Sequence, residues 1–223
     1  MDLPLEHVSD PPIDGADRPP AVVFLHGRGS HERDLLGLRG DLPDGLHALA
    51  VRAPDPLGPG YTWYDLDLSG GGLHDSQPDP TDFRRSLDAL HAFVDGAVDA
   101  YGLDPDRVGL FGFSQGAILG ASAVVERPAR YAWLAGLHGY LPASHDPTDP
   151  ADDVTLDVAG AASVPVFLGA GADDEVIPAA RTERAAAALS DAGLDVTFER
   201  FPGGHGIGPD ELAAVTAWVR DRA

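Results

Sequence analysis

From Ala21 onward, short apolar runs rich in β-branched residues alternate with longer amphipathic stretches, and few architectures accept that pattern. A strand covered on both faces reads as a continuous apolar run, and parallel neighbours need a long crossover between them, usually helical. Ala21–Leu25 (AVVFL) is predicted to be such a strand, and Leu46–Arg52 a second, stopped by Ala53-Pro54. Val108–Phe113, Ala132–Leu137 and Val164–Leu168 continue the series, and Asp195–Phe201 alternates as a further strand. Thr81–Tyr101 carries Phe83, Leu87, Leu90 and Val94 at spacings of three and four, which predicts a helix. Asp79, Thr81 and Asp82 stand at its first turn, where oxygen acceptors and negative charge are favoured. Gln115–Glu126, Ala179–Ala192 and Pro209–Arg222 are the other predicted helices, the last with Pro near its first turn. The expected fold class is therefore α/β: three layers, with a mostly parallel central sheet flanked by helices.

The length of 223 residues suits a single domain over 1–223 with a sizeable core. Residues 1–20 are rich in Pro and Asp and read as a loose N-terminal arm; Pro142–Asp157 has the same composition and reads as a surface excursion. The connection from Arg52 to Thr81 is long enough for residues 53–80 to cover a site. Fifteen basic residues stand against 36 acidic ones, a net charge of −21, and every basic residue is Arg. No basic stripe exists to displace counterions, so nucleic acid is an unsuitable partner, as is an anionic membrane surface. No apolar run approaches the roughly 20 residues that span a bilayer, so membrane insertion is not expected. Met1–Pro12 shows no basic region followed by an apolar run, so no secretory signal is expected and a cytoplasmic location is. Self-repulsion among so many carboxylates is relieved when salt shortens the Debye length to about 3 Å near 1 M. A salt-rich, halophilic setting is the expectation that follows. The absence of Cys excludes disulfides, thiolate catalysis and thiolate metal sites.

Gly112-Phe113-Ser114-Gln115-Gly116 matches G-x-S-x-G, placed where a predicted strand meets a predicted helix. A sharp turn there lifts the Ser hydroxyl above the sheet, and glycine leaves room for so tight a backbone. The N–H of Gln115, at the helix start, is free to face a developing oxyanion. His26-Gly27-Arg28-Gly29 follows the first predicted strand, and the loop at this place supplies the second oxyanion donor, here the backbone N–H of Arg28. Neither a Walker spacing nor G-x-G-x-x-G appears, so a phosphate-binding reading is poor. Among nine His, His205 suits a base best: Pro202-Gly203-Gly204-His205-Gly206 is a flexible loop between the last predicted strand and helix. His91 sits in a predicted helix as a surface or packing residue, and His7, His31, His74 and His145 fall in loops without supporting context. An acid should lie between Ser and His in chain order. Gly171-Ala172-Asp173-Asp174-Glu175 follows a predicted strand, and spacing alone leaves Asp173 and Asp174 both open. No H-x-x-x-H pair suggests a metal, and no cofactor is expected.

Taken together, Leu25-His26-Gly27-Arg28-Gly29, Phe111-Gly112-Phe113-Ser114-Gln115-Gly116-Ala117, Gly139-Tyr140-Leu141-Pro142, Gly171 through Asp174 to Ile177-Pro178, and Gly203-Gly204-His205 resemble the phospholipase/carboxylesterase family, which includes acyl-protein thioesterases. The resemblance runs from about Ala21 to the C-terminal residues. It implies the α/β-hydrolase fold and a cofactor-free serine hydrolase acting on a small-molecule carboxylic ester, short-to-medium in its acyl group, or on a thioester or lactone. It also implies a homodimer, since members are often dimeric. The family's acid stands four residues before the Pro of a V-P or I-P pair, which selects Asp174 over Asp173. Tyr61-Thr62-Trp63-Tyr64-Asp65 sits where relatives line an acyl pocket, so Trp63 and Tyr64 are pocket candidates; core packing is an equal alternative. Two departures stand out. Relatives often carry a hydrophobic residue where this chain has Arg28, and a Ser where it has His138. Arg28 at a pocket mouth favours acidic substrates, and His138 is a third pocket candidate and a competing base. A catalytically silent ligand-binding homologue is the alternative from another class.

Overall fold

The structure is a computed structural model and describes residues 3–13, 17–146 and 164–223. Its centre is a seven-stranded sheet of β1 (His7–Asp10), β2 (Ala21–Leu25), β3 (His47–Val51), β4 (Val108–Phe113), β5 (Trp133–Leu137), β6 (Pro165–Gly171) and β7 (Asp195–Phe201). The spatial order is β1-β3-β2-β4-β5-β6-β7. β1 runs antiparallel to β3 at one edge, and the other pairs are parallel. The helices are α1 (Pro80–Tyr101), α2 (Gln115–Glu126), α3 (Ala179–Asp191) and α4 (Pro209–Arg220).

Alternation along each strand divides the core in two. Val23 and Leu25 of β2 join Leu110, Leu134 and Val166 beneath α1, α2 and α3. Val22 and Phe24 face the other way, into a second core with Phe111, Trp133 and Phe167 under Val215, Trp218 and Val219 of α4. Three layers result, as the apolar runs require. Asp79 caps α1, its carboxylate accepting from the N–H groups of Thr81 and Asp82 at 3.0 Å each, and Gly102 ends the helix in the left-handed region with φ 63°. Element ends differ from the sequence-based expectation by at most three residues.

One expectation needs correction. The stretch read as a loose N-terminal arm supplies β1, whose His7–Asp10 pair with Val51–Ala48 across the edge of the sheet. Residues 53–80 carry two small antiparallel ladders, Asp55–Leu57 with Gly60–Thr62 and Leu66–Asp67 with Gln77–Pro78. Most of the excursion expected over Pro142–Asp157 lies outside the described residues. Among the described residues, no helix is long and apolar enough to cross a membrane.

Candidate active site

Ser114 occupies the turn between β4 and α2 with φ 54° and ψ −118°, a conformation that L-residues rarely adopt. Two glycines make the turn possible. A Cβ on Gly112 would lie 2.5 Å from the Gly116 carbonyl oxygen, and one on Gly116 would collide with the Leu25 carbonyl. The Ser114 hydroxyl is thereby held at the C-terminal edge of the sheet, on a residue that is 8% exposed.

His205 comes from the loop after β7, and its Nε2 stands 2.9 Å from Ser114 Oγ. Its Nδ1 lies 2.7 Å from Asp174 Oδ2, on the loop after β6. A carboxylate only accepts, so the proton sits on Nδ1 and the Nε2 lone pair faces the serine O–H. Asp174 Oδ1 accepts from the N–H groups of Val176 and Ile177, both at 2.9 Å. Burial would push the Asp174 carboxyl up, but hydrogen bonds from His138, His205 and the Ile177 backbone outweigh it and hold the group below its ordinary value. Asp173, the other acid left open by spacing, is exposed.

The loop carrying Arg28 is pinned on both sides: Gly29 N–H donates to Tyr61 O at 2.7 Å and Ser30 N–H to Gly27 O at 3.2 Å. His26 Nε2 accepts from Ala53 N–H at 3.1 Å, so its Nδ1–H donates to Gly27 O at 2.8 Å. Burial depresses the His26 pKa, which keeps that neutral tautomer. Gln115 does more than place its backbone at the start of α2. Its Oε1 accepts from Thr62 Oγ1 at 3.0 Å and Trp63 N at 3.2 Å, and its Nε2 donates to Tyr64 O at 2.9 Å. The amide thus staples residues 62–64 to the serine turn.

A cavity of about 220 Å³ opens beside Ser114 and His205. Arg28 stands at it, Tyr64, Leu66, Leu73 and Ser76 supply one wall, and Ile118, Tyr140, Val176 and Ile177 complete it. Tyr64 is therefore a lining residue as expected, whereas Trp63 and His138 are not. Trp63 is wholly buried, its indole N–H donating to the His26 carbonyl at 2.9 Å, because the core takes its ring. His138 lies beneath Asp174 with its ring fully enclosed, so it cannot compete for the serine proton. A larger cleft of about 550 Å³ lies away from this site, between Leu3, His7, Arg52 and Tyr101.

Sequence reasoning missed Glu211 altogether. It is 1% exposed on α4, and its Oε2 lies 3.0 Å from His138 Nε2. A signal was present: Glu211, Val215 and Val219 recur every four residues along the buried stripe of α4, where an acid needs a partner. His138, Asp174 and His205 also offer ligand atoms within 4.8 Å of one another, the one such cluster of three or more among the described residues. Both imidazoles turn Nδ1 to Asp174 Oδ2 at hydrogen-bond distance, however, and those nitrogens carry protons where a metal needs lone pairs.

The profile of the phospholipase/carboxylesterase family matches residues 14–221, nearly the whole chain. The chain belongs to this family. It is 28% identical over 161 residues to acyl-protein thioesterase 1 of Gibberella zeae, covering 71% of this chain and 66% of the relative. It is also 28% identical over 147 residues to carboxylesterase SOBER1 of Arabidopsis thaliana, covering 64% and 61%. The chain thus spans slightly less than two thirds of these curated relatives. Among solved structures, esterase PE8 is 30% identical and superposes with a TM-score of 0.81 over 98% of this chain and 99% of that one. The family's α/β-hydrolase fold accounts for the mostly parallel sheet, the serine turn at the end of β4 and the loop positions of Asp174 and His205.

Proposed function

We propose that the protein hydrolyses carboxylic esters through an acyl-enzyme on Ser114. The observation that carries this reading is the unbroken line Ser114 Oγ, His205 Nε2, His205 Nδ1, Asp174 Oδ2, with separations of 2.9 and 2.7 Å. His205 takes the hydroxyl proton as Ser114 Oγ attacks the carbonyl carbon, and Asp174 stabilises the imidazolium so formed. The backbone N–H groups of Arg28 and Gln115 receive the oxyanion of the tetrahedral intermediate. His205 then protonates the leaving oxygen, and water, deprotonated by the same imidazole, releases the acid from Ser114. The cavity is smaller than the roughly 300–1,000 Å³ of pockets for drug-sized ligands, which favours short-to-medium acyl groups.

Thioesters and lactones react through the same intermediates, and ranking p-nitrophenyl butyrate, a butyryl thioester and a five-membered lactone by kcat/KM establishes the preferred class. The role of Ser114 is tested with Ser114→Ala on p-nitrophenyl butyrate. Turnover is expected to fall at least about 10³-fold, as loss of a nucleophile does elsewhere. Equal rates for variant and wild type reject the mechanism, and failure of the wild type to react with a fluorophosphonate supports a silent binding protein.

A further inference from the structure

Asp174 Oδ2 serves two imidazoles. His205 Nδ1 meets it at 2.7 Å and His138 Nδ1 at 2.8 Å, and His138 Nε2 meets Glu211 Oε2 at 3.0 Å. The side chains of His138, Asp174 and Glu211 are at most 1% exposed. Two carboxylates this deep repel each other and lose their hydration unless a cation lies between them. Burial alone would lower the His138 pKa, but hydrogen bonds to Glu211 and Asp174 outweigh it and raise it. Each ring nitrogen faces a carboxylate oxygen, which only accepts, so both donate.

The backbone is shaped around this arrangement. His138 sits at φ 54°, outside the ordinary range of a non-glycine residue. Its own N–H donates to the Gly169 carbonyl at 2.8 Å. Gly169 in turn has no Cβ where one would strike Glu211 Oε1, an oxygen that is itself buried without a partner. The charged and titratable groups facing His138 are Asp174 on the β6–α3 loop, Glu211 on α4 and His205 on the β7–α4 loop, with the two imidazole centroids 5.4 Å apart. Phe113 packs on the ring from the end of β4.

We propose that His138 and Glu211 are a positioning pair that holds Asp174 Oδ2 in line with His205, extending the line from Ser114 by two residues. The amides of Val176 and Ile177 fix only Oδ1, and a carboxylate held by one oxygen still pivots about it. His138 fixes the second oxygen. An imidazolium alone would cancel the field that Asp174 offers His205; Glu211 restores it, so the buried group of three carries a net single negative charge. The inference rests on Ser114, His205 and Asp174 being the reacting set.

The test measures kcat, KM and the pH profile on p-nitrophenyl butyrate, per active site titrated with fluorophosphonate, for His138→Asn, His138→Gln and Glu211→Gln, with Ser114→Ala as reference. An Asn amide places an N–H where Nδ1–H stands and suits the left-handed backbone, whereas a Gln amide falls nearer Nε2 and leaves Asp174 Oδ2 without its second donor. His138→Gln is expected to lower kcat about 10- to 100-fold, the range caused by losing outer hydrogen-bond partners in metal sites. KM should stay within about 2-fold, since His138 does not line the cavity. His138→Asn should recover most of the lost kcat. Glu211→Gln should lower kcat and move the acid limb of kcat/KM to lower pH, because the charge behind His205 changes from −1 to zero. Wild-type kcat and pH profile in both His138→Gln and Glu211→Gln overturn the proposal, as does damage in His138→Asn equal to that in His138→Gln. Should His138→Gln fail to fold, the near-isosteric Glu211→Gln decides by the same criteria. Full turnover by Ser114→Ala would instead place the failure in the nucleophile.

Discussion

Replacing Gln115 by Met tests whether the serine turn and the pocket wall are one mechanical unit. The two side chains have similar length and volume, so packing losses stay below about 1.5 kcal/mol. The hydrogen bonds do not survive. Thr62 Oγ1 has a second acceptor in Tyr64 O at 2.8 Å, so its hydroxyl and that carbonyl remain paired. Trp63 N–H loses the Gln115 oxygen it donates to at 3.2 Å, in a segment where Trp63 and Tyr64 are wholly buried. One buried N–H left without an acceptor costs about 1–3 kcal/mol. At about 2–4 °C per kcal/mol for a chain of this size, the expected fall in Tm is roughly 2–12 °C. The same change frees Tyr64 from the Gln115 Nε2 and loosens a wall of the cavity, so KM for p-nitrophenyl butyrate should rise while the backbone N–H of residue 115 stays in place. Scanning calorimetry and steady-state kinetics read both effects. A Tm within 1 °C of wild type together with an unchanged KM, margins set by about the precision of such measurements, would refute the staple.

The raised His138 pKa contributes stability that is fully present below its unfolded value of 6.5 and is lost as pH rises through the folded value. The Tm gap between wild type and His138→Asn should therefore narrow on going from pH 6 to pH 9, and melts showing a widening gap would contradict it. With a net charge of −21, Tm should climb as KCl rises from about 0.1 M to 1 M and the Debye length falls from about 10 to 3 Å; a highest Tm at low salt would rule out repulsion as the dominant surface effect. Arg28 is an exposed cation at a cavity lined by no carboxylate. Arg28→Glu should lower kcat/KM for a carboxylate-bearing ester relative to its neutral counterpart by about an order of magnitude at low salt, and an unchanged ratio would show that the guanidinium does not read substrate charge.

Most of the sheet was legible because its strands are buried on both faces and so appear as unbroken apolar runs such as Ala21–Leu25. β1 was not, for the opposite reason. His7-Val8-Ser9-Asp10 is a partly exposed edge strand with one apolar residue, set among Pro and Asp, and only its pairing with β3 reveals it. The ladders within residues 53–80 are two or three residues long, too short for any periodicity to register. Ser114 and His205 were legible from chain order and glycine context. The choice of Asp174 over Asp173 needed family spacing, although a local reason exists: Asp174 accepts from the amides two and three residues ahead, a turn that holds its carboxylate inward while Asp173 stays in solvent.

Glu211, and with it the buried role of His138, was hidden by a different physics. A periodicity argument assigns inward positions to apolar residues, so an acid on the stripe of Glu211, Val215 and Val219 reads as an imperfection unless its partner is known. That partner lies 73 residues away, at the end of β5, and the two meet only because β5 and β6 run parallel with α4 packed across β6. Neither residue is tolerable alone at that depth: Glu211 without His138 is a buried charge facing backbone, and His138 without Glu211 faces one carboxylate already shared with His205. The same interdependence explains Gly169, whose missing Cβ makes room for the Glu211 carboxylate. A chain with Ser at position 138 would have no reason to keep either the acid at 211 or the glycine at 169. The three positions therefore stand or fall as a set, and Gly169→Ala, whose Cβ would strike the Glu211 carboxylate, should lower kcat as Glu211→Gln does; a wild-type kcat would show that the carboxylate has room to move.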